Sequence, residues 1–428
     1  MLIRRYRLWA VLVVLAPMLF VLVNVLWFNA MPKPKRLTQP LMLEYHTRSP
    51  EFERSLGALL QQPILPGNTI ELLRDGEAIY AAKVDAIDRA EHSVSFETYE
   101  FWGAAAAGPI VEALARAAER GVAVNALPDY IGSREASPEK FARLSEAGVE
   151  TYRWRKPAWY NLSRFNHRTH RKLLIIDGRE AFTGGANVAD VWLASETENP
   201  YRDNHFHIRG PVVASLQAAF AETWLDATGY LLEGDRYFPE LESQGDYRAQ
   251  VVNSAPREGR HRMRKLFHYA VAAAEESITA ATAYFYPDDE YLAALIDAAE
   301  RGVRVRILVP GKSIDQGYLR QASVNRWEAM LEAGVELYEY QPSMYHSKLM
   351  SVDDYWSSFG STNLDNRSFR INDEANVNVY DEQFARKIRE LIEEDMQDAH
   401  PYGLAEWRER SFYKRAWGWM GSVIGAYL

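Results

Sequence analysis

The chain contains no cysteine. Disulfides, thiolate zinc sites, iron–sulfur clusters and a cysteine nucleophile are thereby excluded. An excess of positive charge is also missing: 49 Lys and Arg against 58 Asp and Glu give a formal net charge of −9. That balance withholds the electrostatic footprint of duplex binding, and no nucleic-acid partner is expected. Long apolar runs are scarce, with one in 428 residues, which excludes a polytopic membrane protein. The remaining composition, 47% hydrophobic and 25% charged, is that of a folded chain and not of a disordered or collagen-like one. At roughly 150 residues per domain the length suggests two or three domains.

The single apolar run extends from Leu8 to Phe28, interrupted only by Pro17 and Asn24, behind Arg4, Arg5 and Arg7. It is long enough for a hydrocarbon core of roughly 30 Å. The following Asn29-Ala30-Met31-Pro32 is a poor cleavage site, so residues 1–30 read as an uncleaved transmembrane anchor and 31–65 as a linker. Lys33, Lys35 and Arg36 balance the leading arginines, leaving the positive-inside rule nearly tied. The cost of translocating a short basic tail keeps the N-terminus in the cytoplasm and turns the body outward.

The body repeats itself. Ala-Ala-Glu-Arg-Gly-Val occurs at 117–122 and 298–303, Glu-Ala-Gly-Val-Glu at 146–150 and 332–336, and a β-type run at Ser93–Phe101 has a counterpart at Ser277–Phe285. A period this long means duplicated domains and not a solenoid. The expected units are 66–235 and 236–400, followed by a basic-aromatic tail at 401–428. Each reads strand, helix, strand, helix, strand. Val111–Arg120 has helical apolar spacing, stops at Gly121 and enters a strand at Val122–Leu127; Leu292–Arg301 does the same before Val303–Val309. The alternation predicts an α/β fold around a mainly parallel sheet.

Each copy then carries the same chemistry. His170-Arg-Lys172 runs to Asp177, and six residues later comes Gly184-Gly185-Ala186-Asn187; His346-Ser-Lys348 runs to Asp353, and six residues later comes Gly360-Ser361-Thr362-Asn363. His and Lys two apart in an extended segment share a face. A nucleophile or proton carrier thus stands beside a fixed positive charge. The asparagines and small residues supply donors for phosphate oxygens. Asp203 follows its histidine by 33 residues and Glu374 follows its own by 28. A carboxylate on the far imidazole nitrogen would fix the tautomer. Asp177 and Asp353, five residues past their lysines on the opposite strand face, read as structural.

These paired His-x-Lys motifs resemble those of the phospholipase D superfamily, over about residues 66–400. The segment from Gly360 through Asp365, Arg367, Ser368 and Asn372 to Glu374 is similar to bacterial cardiolipin synthases, as is an N-terminal anchor. The resemblance implies two duplicated α/β/α sandwich domains with the active site between them. It implies a phosphatidyltransferase that joins two phosphatidylglycerols and releases glycerol. His170 would be the nucleophile and form a phosphohistidine; His346 would be the general acid and base, and the pseudosymmetry leaves the reverse assignment open. Lys172, Lys348, Asn187 and Asn363 would stabilise the phosphorane with no cofactor or metal. Gly185, Ser361, Arg168 and Arg367 would touch substrate. The location implied is a bacterial inner membrane, single-pass, with the catalytic body toward the periplasm. Transfer to water, as in a phospholipase D hydrolase, and a superfamily nuclease are the competing activities. The net charge and the anchor oppose the nuclease. Nothing in the sequence fixes an oligomeric state.

Weaker signals remain. His167 and His205 lie near motif residues, and Tyr99, Tyr284 and Tyr286 read first as core. The run Arg153–Arg171 interleaves arginines with Trp154, Trp159, Tyr160 and Phe165, and Phe412–Leu428 carries Trp417 and Trp419 after Arg408, Arg410, Lys414 and Arg415. Either stretch could lie on anionic headgroups.

Overall fold

The computed structural model describes residues 15–23, 41, 43–156, 166–255 and 261–411. Residues 15–23 are helical and exposed. Among the described residues no helix is long and apolar enough to cross a membrane. Most of the expected anchor, the centre of the Arg153–Arg171 run and the tail beyond Ser411 lie outside the described residues.

The first half comprises β1 (Leu65–Arg74), α2 (Asp75–Arg89), β2 (Ser93–Thr98), α3 (Ala107–Glu119), β3 (Ala123–Pro128), α4 (Pro138–Glu146), β4 (Glu150–Thr151), β5 (Leu173–Ile176), β6 (Glu180–Gly184), β7 (Asn204–Arg209) and α5 (Val213–Thr228). The second comprises β8 (Tyr247–Ser254), α6 (Arg262–Ala272), β9 (Ser277–Ala281), β10 (Phe285–Tyr286), α7 (Asp289–Glu300), β11 (Arg304–Pro310), α8 (Gly317–Val324), α9 (Glu328–Glu332), β12 (Glu336–Tyr340), β13 (Leu349–Val352), β14 (Trp356–Gly360), β15 (Leu364–Asp365), α10 (Asn366–Arg370), β16 (Glu374–Tyr380) and α11 (Glu382–Met396). Helix α1 (Pro50–Leu60) precedes both, and β17 (Ala399–Tyr402) with α12 (Leu404–Arg408) follows.

Among the described residues fifteen strands form one sheet, ordered β17-β12-β11-β9-β13-β14-β16-β8-β1-β7-β6-β5-β2-β3-β4, and β10 and β15 pair in parallel apart from it. The order is palindromic about the antiparallel β8–β1 junction, so the two copies face each other across a pseudo-twofold axis. The expectation of a mainly parallel sheet is corrected here. Only β2–β3, β3–β4, β9–β11 and β11–β12 pair in parallel within it. The helix-connected strands are parallel because a crossover helix returns the chain in the same direction. The motif strands β5–β6 and β13–β14 are instead joined by tight turns, which force antiparallel pairing.

Burial on both faces explains the continuous apolar runs. Leu173, Leu174, Ile175 and Ile176 of β5 are all buried: Leu174 and Ile176 join the core beneath α3, while Leu173 and Ile175 join the core beneath α5. Helix α11 buries Phe384, Ala385, Ile388, Leu391 and Ile392 at helical spacing, and its first turn is capped by the Asp381 side chain. Residues of both halves share the core under α5 and α11, where the Phe206 and Phe359 rings stack at 3.8 Å. The halves therefore meet through a common hydrophobic interior, which fixes their relative position. Two boundaries read from sequence shift. Helix α1 lies in the expected linker, yet its Phe52, Leu56 and Leu60 are fully buried against the second half. Trp407 in the expected tail is also buried, and its indole N–H donates to the Val324 carbonyl at 2.6 Å.

Candidate active site

The motifs converge at one end of the central strands. His170 and Lys172 lead into β5, the Gly184–Asn187 turn leaves β6, and Asp203 immediately precedes β7. Antiparallel order brings these three points to the same edge, and the second half does likewise. Asp177 and Asp353 sit at the other end, in the hairpin turns, with φ of 54° and 53°. Asp177 accepts from the backbone N–H groups of Glu91, His92 and Ser93; Asp353 accepts from those of Glu275, Glu276 and Ser277 and from the Thr47 hydroxyl. Each clamps the hairpin to the start of β2 or β9, far from the histidines.

The two halves cross at the histidines. His170 N–H donates to the Asp373 carbonyl at 2.9 Å, and Asp373 N–H to Arg168 at 2.9 Å; His346 N–H donates to the Arg202 carbonyl at 2.8 Å, and Arg202 N–H to Met344 at 2.9 Å. Each histidine segment thus pairs with the segment just ahead of the other half's acid. Glu374 accepts from His170 Nδ1 at 3.0 Å, and Asp203 accepts from His346 Nδ1 at 2.8 Å. Sequence spacing coupled each acid to the histidine of its own copy; the structure exchanges them. Neither half is complete alone. Arg171 adds a covalently invisible bolt: buried between the halves, it donates to the Ala219 carbonyl and the Thr223 hydroxyl, both at 2.7 Å, and to the Glu374 carbonyl at 3.3 Å. Asn204 Nδ2 reaches the Ser347 hydroxyl at 2.8 Å from the opposite direction.

The acids are held by different donors. Gly185 lacks a side chain where Asp203 approaches; a Cβ there would lie 2.1 Å from Asp203 Oδ1. Asp203 is fixed instead by the Trp192 indole at 2.9 Å and by Asn204 N–H at 2.8 Å. In the second half Ser361 replaces the glycine and its hydroxyl donates to Glu374 Oε2. Ser361 and Gly185, expected against substrate, are therefore found against the carboxylates. Trp192 carried no signal in the sequence, since no repeat counterpart marks it.

Burial governs the electrostatics. Desolvation pushes His170 down to about 4 and His346 to about 3, while each paired carboxylate stays below its ordinary value because of its histidine and the nearby lysines. Burial holds both rings neutral, with Nδ1–H on the carboxylate and Nε2 on the far side of the ring, where Lys348 Nζ lies 3.3 Å from His346 Nε2. Lys172 and Lys348 are pushed down to about 7 and 8, again by burial first. Lys172 Nζ donates to the His170 carbonyl at 2.6 Å, and Lys348 Nζ lies against the carbonyl and ring of its own His346. Asn187 is bound to Glu100, with Nδ2 on Oε2 at 3.2 Å. Asn363 Oδ1 is buried with no hydrogen-bond partner among the described residues. On the His170 side, the Tyr99 ring tilts against the imidazole at 5.7 Å. Arg367 there donates to Asn166 Oδ1 and carbonyl at 2.8 and 2.9 Å, and Arg168 to the His167 carbonyl at 2.9 Å. Trp192 and Tyr201 flank His346 at 5.2 and 6.0 Å. His205, considered near substrate, is fully buried on β7.

Two neutral imidazoles, each held through Nδ1 by a carboxylate and accompanied by two lysines, suit in-line displacement at an anionic phosphorus. A family model described as cardiolipin synthase, phospholipase D-like domain matches this chain twice, over residues 84–224 and 269–396. The chain belongs to the cardiolipin synthase, phospholipase D-like family. Cardiolipin synthase A of Pseudomonas entomophila is 34% identical over 349 residues, 81% of this chain and 72% of that protein. Cardiolipin synthase 2 of Bacillus anthracis is 33% identical over 347 residues, 80% of this chain and 67% of that protein. Among solved structures, a phosphatidylserine synthase of Haemophilus influenzae superposes with a TM-score of 0.68 over 88% of this chain and all of that one, at 16% identity, which marks a shared fold. The two family-model matches bracket one histidine motif each, so the cardiolipin synthase-like domain occurs twice and the crossed pairs join its two copies.

Proposed function

We propose that this chain is a phosphatidyltransferase that makes cardiolipin from two phosphatidylglycerols. The observation that carries the reading is the crossed pair of His–carboxylate units in a chain of this family. His170 Nε2 attacks the donor phosphorus as the phosphorus–oxygen bond to glycerol breaks, and His346 gives its proton to the departing oxygen. The phosphatidyl group then rests on His170. A hydroxyl of the second phosphatidylglycerol returns a proton to His346, attacks phosphorus and breaks the phosphorus–nitrogen bond. One phosphodiester replaces another, so no nucleotide is consumed. A bound phosphodiester anion offsets the lysine charges that help depress His346, which favours its protonated form. Lys172, Lys348 and Asn363 receive the equatorial oxygens. Arg168 and Arg367 stand on the donor side.

The membrane reading rests on the sequence. The Leu8–Phe28 run and its basic flank support a single-pass anchor in a bacterial inner membrane, with the body toward the periplasm. The basic-aromatic stretches Arg153–Arg171 and Phe412–Leu428 support contact with anionic headgroups.

Purified protein with labelled phosphatidylglycerol in micelles tests the reaction. Cardiolipin and glycerol in equal amounts are expected; phosphatidic acid as the sole lipid product would establish a hydrolase instead.

A further inference from the structure

One carboxylate outside the two motifs holds both members of the His346–Asp203 pair by their neighbours. Asp395 lies in the last turn of α11 and is 6% exposed. Its Oδ2 accepts from the Tyr345 hydroxyl at 3.1 Å, and its Oδ1 accepts from Arg202 Nε at 2.9 Å. Tyr345 immediately precedes His346, and Arg202 immediately precedes Asp203. The same two segments are joined by the bond from His346 N–H to the Arg202 carbonyl at 2.8 Å. Asp75 completes the arrangement by accepting from a terminal nitrogen of Arg202 at 2.9 Å. Asp395 thus reaches the imidazole and its carboxylate through one residue on either side.

The position runs against two local preferences. A negative charge in the last turn of a helix opposes the helix dipole, and a buried carboxylate is tolerated only when it is well paired. The other histidine is supported differently. Thr169, ahead of His170, donates its hydroxyl to Glu97, and Asp373, ahead of Glu374, pairs with Arg155 at 2.8 Å. Two residues from separate elements do there what Asp395 does alone. Truncating Asp395 therefore loosens one histidine–acid pair and leaves the supports of the other in place. Neighbouring Cα atoms are about 3.8 Å apart and rigidly linked, so a shift of Tyr345 or Arg202 is passed on to His346 or Asp203.

We propose that Asp395 is a positioning residue for proton transfer, holding Tyr345 and Arg202 so that His346 and Asp203 stay aligned while the leaving oxygen is protonated and the attacking hydroxyl deprotonated. The assignment rests on the reaction proposed above, in which His346 carries the proton. A misplacement of about 1 Å costs on the order of 10²-fold in rate. Asp75 and the backbone bonds remain when Asp395 is removed, so a loss of about tenfold is expected.

The test uses the full chain in micelles and compares two substrates. Phosphatidylglycerol needs a proton on its leaving oxygen; phosphatidyl-p-nitrophenol does not. Asp395→Ala should lower kcat on phosphatidylglycerol by about tenfold with KM unchanged, while the burst of p-nitrophenol stays within about twofold of wild type. Asp395→Asn keeps an oxygen for Arg202 and an amide beside the Tyr345 hydroxyl, and should recover most of the rate. Tyr345→Phe keeps the buried ring and removes one of the two bonds; it should show the same selective loss, about threefold, and covers a failure of Asp395→Ala to fold. Wild-type kcat in Asp395→Ala or in Tyr345→Phe would overturn the proposal. Equal losses on both substrates would overturn it as well, since they mark general loosening. Asp395→Asn as slow as Asp395→Ala would show that charge and not placement matters. The products are read separately: phosphatidic acid as the sole lipid product would overturn the transferase reading and leave the comparison of leaving groups intact.

Discussion

Asp203→Asn removes a charge from a carboxylate that is fully buried and 2.8 Å from His346 Nδ1. The amide nitrogen must then face either His346 or the Trp192 indole, which already donates to Asp203 at 2.9 Å. Facing His346, it demands an Nδ1 lone pair, confines the ring to a single proton on Nε2 and removes the charge that supports the doubly protonated ring needed to protonate the leaving oxygen. The lost charge-assisted bond is worth about 1.5–3 kcal/mol, and the wrong tautomer carries the loss in kcat to about 10²- to 10⁴-fold, as in a serine-protease triad with the same change. Rate alone does not reveal which histidine is affected. Phosphatidyl-p-nitrophenol does, because its leaving group needs no proton. The defect of a general acid shrinks in the burst of intermediate formation on this substrate, and that of a nucleophile persists. With crossed pairs, Asp203→Asn follows the pattern of His346→Ala, and Glu374→Gln follows that of His170→Ala. Asp203→Asn following His170→Ala would refute the exchange of acids between the halves.

Gly185→Ala places a methyl 2.1 Å from Asp203 Oδ1; kcat should fall as far as in Asp203→Asn while circular dichroism stays native, and wild-type activity would contradict the packing. Because lysine side chains supply the positive charge, turnover should survive excess EDTA, and loss restored by a divalent ion would count against that role. Burial holds His170 and His346 below the unfolded value of about 6.5. Between that value and about 4 the unfolded chain binds more protons, so stability rises with pH there and is lost on acidification. A His170→Asn/His346→Asn double variant should lose less Tm between pH 6.5 and 4 than wild type, and an equal loss would refute the depressed values.

The duplication was legible because helix ends and β-type runs recur with nearly constant offset, and the site because two motifs carry matching His, Lys and Asn. What escaped is long-range. The crossing of Asp203 and Glu374 depends on backbone pairing between segments some two hundred residues apart, such as Asp373 with His170. Trp192 belongs to no spacing pattern, and Arg171 is the unmatched residue inside its motif; each acquires its role only when the halves close. The parallel reading failed at β5–β6 and β13–β14, where buried apolar runs look alike in either direction and only the tight turn decides.

One site, shared by both halves, carries the phosphatidyl group on His170 in the reaction proposed above. Rapid alkaline quenching of the full chain with labelled phosphatidylglycerol, followed by peptide mass spectrometry, tests it most directly. A phosphatidyl adduct on His170 should accumulate within the first turnover and be absent from His170→Ala. An adduct on His346 in its place, or none at any quench time while cardiolipin forms, would contradict it.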